Sequence, residues 1–166
     1  MTINGTAHAS AVLLGPVGLL VCGPSGGGKS ALCHALVDHH AARWVGDDQL
    51  CLALTEGHLW AKPHPRLAGK AERRGKGIVG ICYAQEGRMT HQIVLQDGPA
   101  KPSLPSPVLA HTWQPNLKNS AALSQVLLPT LFLPRLSPCM AAERAMEWLP
   151  AQQGCGVEAM GSPQTR

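Results

Sequence analysis

The residues best equipped for chemistry lie in the first half of the chain. Gly23-Pro24-Ser25-Gly26-Gly27-Gly28-Lys29-Ser30 fits G-x-x-x-x-G-K-[ST], the loop that cradles a polyphosphate. Its glycines let successive backbone N–H groups converge on phosphate oxygens without Cβ clashes. A helix starting inside the motif adds the partial positive charge of its N-terminus. Lys29 would bridge the β- and γ-phosphates of ATP, and the Ser30 hydroxyl would ligate Mg²⁺. Downstream stand Asp47 and Asp48. Two adjacent carboxylates near a metal can divide two tasks, one holding the ion and the other taking the proton of an attacking hydroxyl. Glu72-Arg73-Arg74-Gly75-Lys76-Gly77 sets cations among glycines, and Arg brings a planar fork suited to phosphate. The chemistry these groups share is phosphoryl transfer.

Elements must hold these groups in place, and the sequence outlines them. Two apolar runs, Ala9–Leu14 and Leu19–Cys22, flank Gly15-Pro16-Val17-Gly18 and predict two strands joined by a tight turn. Gly23–Gly28 is then a loop, and Leu32, Cys33, Leu36 and Val37 recur with helical spacing over Lys29–His39. Trp44-Val45, Leu50–Leu54, Leu59–Ala61, Ile78-Val79 and Ile93–Leu95 are strand candidates, with a hairpin turn at Glu56-Gly57-His58. The basic stretch before Ile78 reads as a loop. Gly98–Pro107, with its prolines, reads as a surface excursion. Met140, Ala141, Arg144, Ala145, Trp148 and Leu149 outline an amphipathic helix, giving a domain over 1–149 and a flexible tail over 150–166.

Composition bounds the reading. A chain of 166 residues, 45% hydrophobic and only 14% charged, fits one α/β domain and excludes global disorder. The net charge of +4 is too mild for a nucleic-acid binder, and no aromatic residues interleave with the basic ones. Six of the fourteen basic residues nevertheless crowd together as Lys62, Arg66, Lys70, Arg73, Arg74 and Lys76. For Lys62, Arg66 and Lys70 a solvated charged loop explains the sequence equally well. Six cysteines without a C-x-x-C pair read as reduced thiols of a cytoplasmic protein. No apolar run is long enough to span a bilayer, and Met1–Ser10 lacks the pattern of a signal peptide. Cys33, His34, His39 and His40 match no zinc spacing and fall where the loop's helix must pack.

Taken in order, His8, Gly23-x-Ser25-Gly26-x-Gly28-Lys29-Ser30, Asp47-Asp48 and Glu72-x-Arg74-Gly75-x-Gly77-Ile78 resemble the catalytic domain of HPr kinase/phosphorylase. That family carries a histidine fifteen residues before the first glycine of the loop, the interval from His8 to Gly23. Its signature reads E-[IV]-R-G-[LIM]-G. Here Arg73 and Lys76 occupy its two aliphatic positions. The likeness runs from about residue 3 to 82 and has the character of a short form without the family's N-terminal domain.

The resemblance implies a mixed sheet around a P-loop helix, akin to phosphoenolpyruvate carboxykinase. It implies an ATP- and Mg²⁺-dependent protein serine kinase acting on a small HPr-like phosphocarrier, possible reversal by phosphorolysis, and a homo-oligomer, a hexamer by analogy. It assigns the acid/base switch to Asp47, with His8 bonded to it, places Arg74 and Lys29 on the transferring phosphate, and directs Ser30, Asp48 and Glu72 toward the metal. Two other readings stand beside it: a P-loop kinase for another peptide or a metabolite, and a nucleotide-binding signalling module without catalysis.

Overall fold

The computed structural model describes residues 2–99, 101–108, 111–114 and 125–153. The central strand is β3 (Val17–Cys22), buried along its whole length. Successive side chains of a strand point to opposite faces, so Leu19 and Val21 enter one core layer while Leu20 and Cys22 enter another. Beside β3 lie β2 (Ser10–Leu14), β4 (Arg43–Gly46), β10 (His91–Leu95), β11 (Lys101–Pro107) and β13 (Leu127–Leu133). They form a six-stranded mixed sheet in the order β11-β13-β10-β3-β2-β4. Within it β3, β10 and β13 are parallel, and the outer strands run antiparallel to their neighbours.

Helices α1 (Lys29–His40) and α2 (Pro138–Gln153) cover one face of this sheet, burying Leu32, Leu36, Ala145 and Trp148 against Val12, Leu19, Trp44 and Ile93. α1 stops where Ala41 turns left-handed (φ 57°) and the Ala42 N–H donates to the Leu36 carbonyl at 3.1 Å. The other face meets a second, antiparallel sheet made from β1 (Thr2–His8), β5 (Leu50–Thr55), β6 (His58–Pro63), β9 (Gly87–Met89) and β12 (His111–Gln114). Its order is β12-β1-β5-β6-β9, and Leu50, Leu52, Leu59 and Met89 fill the space between the sheets.

The expected strands, the first helix and the terminal amphipathic helix are all present. Three expectations are corrected. The basic stretch is not wholly a loop: β7 (Lys70–Arg73) pairs with β8 (Gly77–Gly80), because Ala71 and Val79 turn inward onto the α1 layer. The proline-rich segment is not an excursion but the edge strand β11. Proline lacks the N–H that an inner strand must donate, and an edge tolerates this. Gln92 helps hold that edge, its Nε2 donating to the Pro107 carbonyl and the Thr130 hydroxyl, each at 2.8 Å. Finally, α2 continues through 150–153 where a tail is expected. Residues 154–166 lie outside the described residues, as does Cys155.

Among the described residues the remaining cysteines, Cys22, Cys33, Cys51, Cys82 and Cys139, are free thiols. Burial pushes the Cys22 thiol up to about 12 and raises that of Cys33. A thiol-reactive probe on the native chain is expected to label exposed Cys82 and Cys139 and to spare Cys22 and Cys33. Labelling of all in parallel would contradict this packing. Among the described residues no helix is long and apolar enough to cross a membrane.

Candidate active site

The loop Gly23–Ser30 leaves the end of β3 and turns into α1. Gly28 caps the helix at φ 97°, a conformation that disfavours any residue with a Cβ. A Cβ at Gly27 would stand 2.8 Å from the Pro24 carbonyl oxygen, so the loop closes this tightly only with glycine. Lys29 is 6% exposed, and its Nζ donates to the carbonyls of Gly23 at 3.0 Å and Pro24 at 2.9 Å. Burial lowers its pKa, while the Asp47 and Asp48 carboxylates act in the opposite direction.

β4 delivers both carboxylates just beyond its last residue, Gly46. Asp47 points toward the helix and is ringed by donors. The Ser30 hydroxyl donates to Oδ2 at 2.6 Å, and Oδ1 accepts from the Ser10 hydroxyl and, at 2.9 Å, from the Asp48 N–H. Asp48 adopts φ 67°, a left-handed turn that Asp tolerates better than most residues and that sends its side chain away from Asp47. It remains 67% exposed and meets His8, whose Nδ1 lies 3.1 Å from Oδ1. The other ring nitrogen, Nε2, sits 3.3 Å from the Ser25 hydroxyl. His8 therefore spans from the phosphate loop to the second carboxylate. A register shift between Thr6 and His8 in the β1–β12 ladder accompanies this position at the strand's end.

Two expected partnerships are thus exchanged. His8 bonds Asp48 and not Asp47, and the Ser30 hydroxyl bonds Asp47 and not Asp48. The reason is the positive φ at Asp48, which prevents the two side chains from sharing one environment.

These groups open onto one cleft of about 690 Å³, lined also by Glu72, Arg73 and Arg74 from the β7–β8 hairpin and by Pro138 and Cys139 from α2. Gly77, at φ 72°, allows the turn that carries Arg74. Lys62, Arg66 and Lys70 are not among the lining residues. Arg73 does not pack as the aliphatic residue of the signature would. Its guanidinium forks onto Asp38 of α1 at 2.7 and 2.9 Å. That bond, with the charge behind it, holds the Asp38 carboxyl below its ordinary 3.8. With side chains 31% and 40% exposed, the pair should contribute only about 0.5–1 kcal/mol. A depressed carboxyl pKa stabilises the fold above its unfolded value and loses that contribution as pH falls through the folded one. Arg73→Ala should therefore cost this small amount at neutral pH and nothing in acid below both values. An equal cost at both pH values would make the effect one of packing.

Sequence reasoning missed Ser10, His34 and Asp38. Ser10 is wholly buried, and a polar residue opening an apolar strand was the available signal. His34 and Asp38 follow Ser30 at helical spacing, so they face the same cleft. Among the described residues no group of three His, Cys, Asp or Glu side chains is arranged to hold a metal. The hard oxygen donors near the loop are the Ser30 hydroxyl and the two aspartates, while Glu72 is exposed on the hairpin side of the cleft.

No family model matches the chain. It is 31% identical over 94 residues to HPr kinase/phosphorylase of Mycoplasma mycoides subsp. mycoides SC, a stretch that is 57% of this chain and 28% of that protein. In structure it matches the HPr(Ser) kinase/phosphatase of Coxiella burnetii with a TM-score of 0.69 and 18% identity, over 90% of this chain and 98% of that one. The chain thus spans little more than a quarter of the length of the curated relative. With the fold of one such protein and sequence likeness to another, the chain resembles a short HPr kinase-type domain.

Proposed function

We propose that this chain transfers the γ-phosphate of ATP to a serine hydroxyl of a small HPr-like phosphocarrier protein. The observation that carries this reading is one cleft in which the phosphate loop, the His8–Asp48 pair and the Arg74 turn face each other. Backbone N–H groups of Gly26 and Gly28 and the Lys29 ammonium would hold the phosphates, while the Gly27 N–H closes the loop by donating to the Pro24 carbonyl at 2.9 Å. Two of the three Lys29 N–H donors already engage carbonyls, which fixes the direction of the third.

The donor set fits magnesium, a hard cation that prefers oxygen ligands. Ser30 and Asp47 would hold it, their oxygens 2.6 Å apart at the loop. Bound there, Mg²⁺ would neutralise charge on the phosphates. Asp47 accepts three hydrogen bonds and is a poor base for substrate. Asp48 is exposed to an incoming hydroxyl and oriented by His8. We therefore assign the base to Asp48, exchanging the roles implied by the resemblance. The serine proton passes to Asp48 as the new O–P bond forms and the bond to the β-phosphate oxygen breaks. In phosphorolysis the same carboxyl returns the proton to the leaving serine oxygen as inorganic phosphate attacks. Homo-oligomer assembly belongs to the same proposal.

The test is transfer from radiolabelled ATP·Mg²⁺ to an HPr-like protein, with a metabolite panel in parallel. Label on a serine of the protein is expected. Label only on a metabolite, or nucleotide binding with no transfer, would replace this reading. Arg74→Lys should lower transfer about tenfold or more, because a point charge cannot reproduce the guanidinium fork. Activity equal to wild type would leave Arg74 outside the reaction.

A further inference from the structure

We infer that His34 is a positioning residue that locks the three elements of the cleft together and sets Arg74 over the phosphate loop. The inference rests on the phosphotransfer reading of the cleft. His34 lies one helical turn beyond Ser30, and Asp38 one turn beyond His34, so all three line the cleft from one face of α1.

His34 reaches two other elements. Its Nε2 lies 3.1 Å from the Glu72 carbonyl oxygen of β7. A carbonyl only accepts, so Nε2 carries the hydrogen and donates it. Its ring stacks on Trp44 of β4, with centroids 4.7 Å apart and planes 25° from parallel. Trp44 is 1% exposed and lies three residues before Asp47. The strand leading into the carboxylates, the phosphate-loop helix and the strand leading into Arg74 therefore meet at one imidazole. A turn farther along, Asp38 grips Arg73, the residue directly before Arg74. Two polar clamps from one helix face hold consecutive residues of the hairpin.

The cost of this arrangement argues for its use. Among the described residues neither His34 Nδ1 nor Trp44 Nε1, both buried, has a protein hydrogen-bond partner. Unpaired buried polar atoms are rare because each loses its water without compensation. An aliphatic side chain at position 34 would avoid one such loss. What it could not supply is the donor to the Glu72 carbonyl. The Arg73–Asp38 fork stands where the signature carries an aliphatic residue, so in this chain polar bonds replace apolar contact at the root of the Arg74 turn.

The experiment compares His34→Leu and His34→Gln in the full chain. Leucine keeps bulk and removes the donor, whereas glutamine restores an N–H. His34→Leu is expected to lower kcat for transfer by about ten- to a hundredfold, the scale set by misplacing a reacting group by roughly an ångström. KM for ATP should change little, and His34→Gln should recover most of the loss. His34→Leu combined with Arg74→Ala should fall no further than Arg74→Ala alone, since both act on one group. Hydrogen exchange at residues 70–80 should quicken in His34→Leu, with α1 amides unchanged. Wild-type kcat in His34→Leu, losses that multiply with Arg74→Ala, or unchanged exchange at 70–80 would each overturn the proposal. A wild-type chain that transfers no phosphate would defeat the functional reading instead, and the exchange comparison would then decide whether His34 holds the hairpin.

Discussion

Lys29→Ala should lower phosphate transfer by at least about two orders of magnitude, the scale lost when one preorganised charge is removed from a transferring group. The lysine is buried at the base of the loop and aimed by two carbonyl oxygens at 2.9 and 3.0 Å. A replacement by Ala removes both the charge and the spacer that keeps those carbonyls apart from incoming phosphate. Burial already lowers the Lys29 pKa, so the site bears a cost for keeping a cation there. Loss of that cost should offset part of the lost hydrogen bonding and leave the melting temperature close to wild type. Transfer assays and thermal unfolding on the same preparation check both halves. Turnover near wild type with an unchanged melting temperature would remove Lys29 from the reaction.

The larger discrimination is expected from the two aspartates. Asp48→Asn should reduce transfer in both directions by about 10²–10⁴-fold, the usual range for removing a general base, while ATP affinity persists. Asp47→Asn should act through the metal. Its neutral amide still accepts from Ser10 or Ser30 but offers Mg²⁺ no charge, so the Mg²⁺ concentration for half-maximal rate should rise about tenfold or more. His8→Ala should resemble a mild form of Asp48→Asn, because the imidazole at 3.1 Å orients that carboxylate and not its neighbour. If Asp47→Asn abolishes transfer at saturating Mg²⁺ while Asp48→Asn stays active, the base is Asp47, as the resemblance implies, and the geometric assignment fails.

Much of the fold was legible because its elements are locally encoded. The loop glycines, the helical spacing of Leu32, Cys33 and Leu36, and the apolar runs of β2, β3 and β10 each dictate structure within a few residues. What escaped was long-range. β1 reads Thr-Ile-Asn-Gly-Thr-Ala-His, too polar to announce a strand, and it forms because β5 offers a complete antiparallel ladder along it. β11 carries prolines that argue against a strand until its edge position removes the objection. β7, Lys-Ala-Glu-Arg, hides in charge, since of its four residues Ala71 alone is buried, whereas its partner β8 was legible as the apolar pair Ile78-Val79.

The sequence by itself determined the phosphate loop, the order of the residues that approach it, and the presence of carboxylates and an arginine downstream. Those facts follow from residue type and spacing, which a linear chain preserves. Only the tertiary structure decided which carboxylate meets which partner. Adjacent residues are indistinguishable by spacing, and a positive φ at Asp48, set by the turn leaving β4, sends one side chain to His8 and the other to Ser30. Tertiary structure also turned His34 from a residue of the packing helix into the meeting point of three elements. Its partners, the Trp44 ring and the Glu72 carbonyl, belong to strands that approach it only when the sheets and α1 close around a common core.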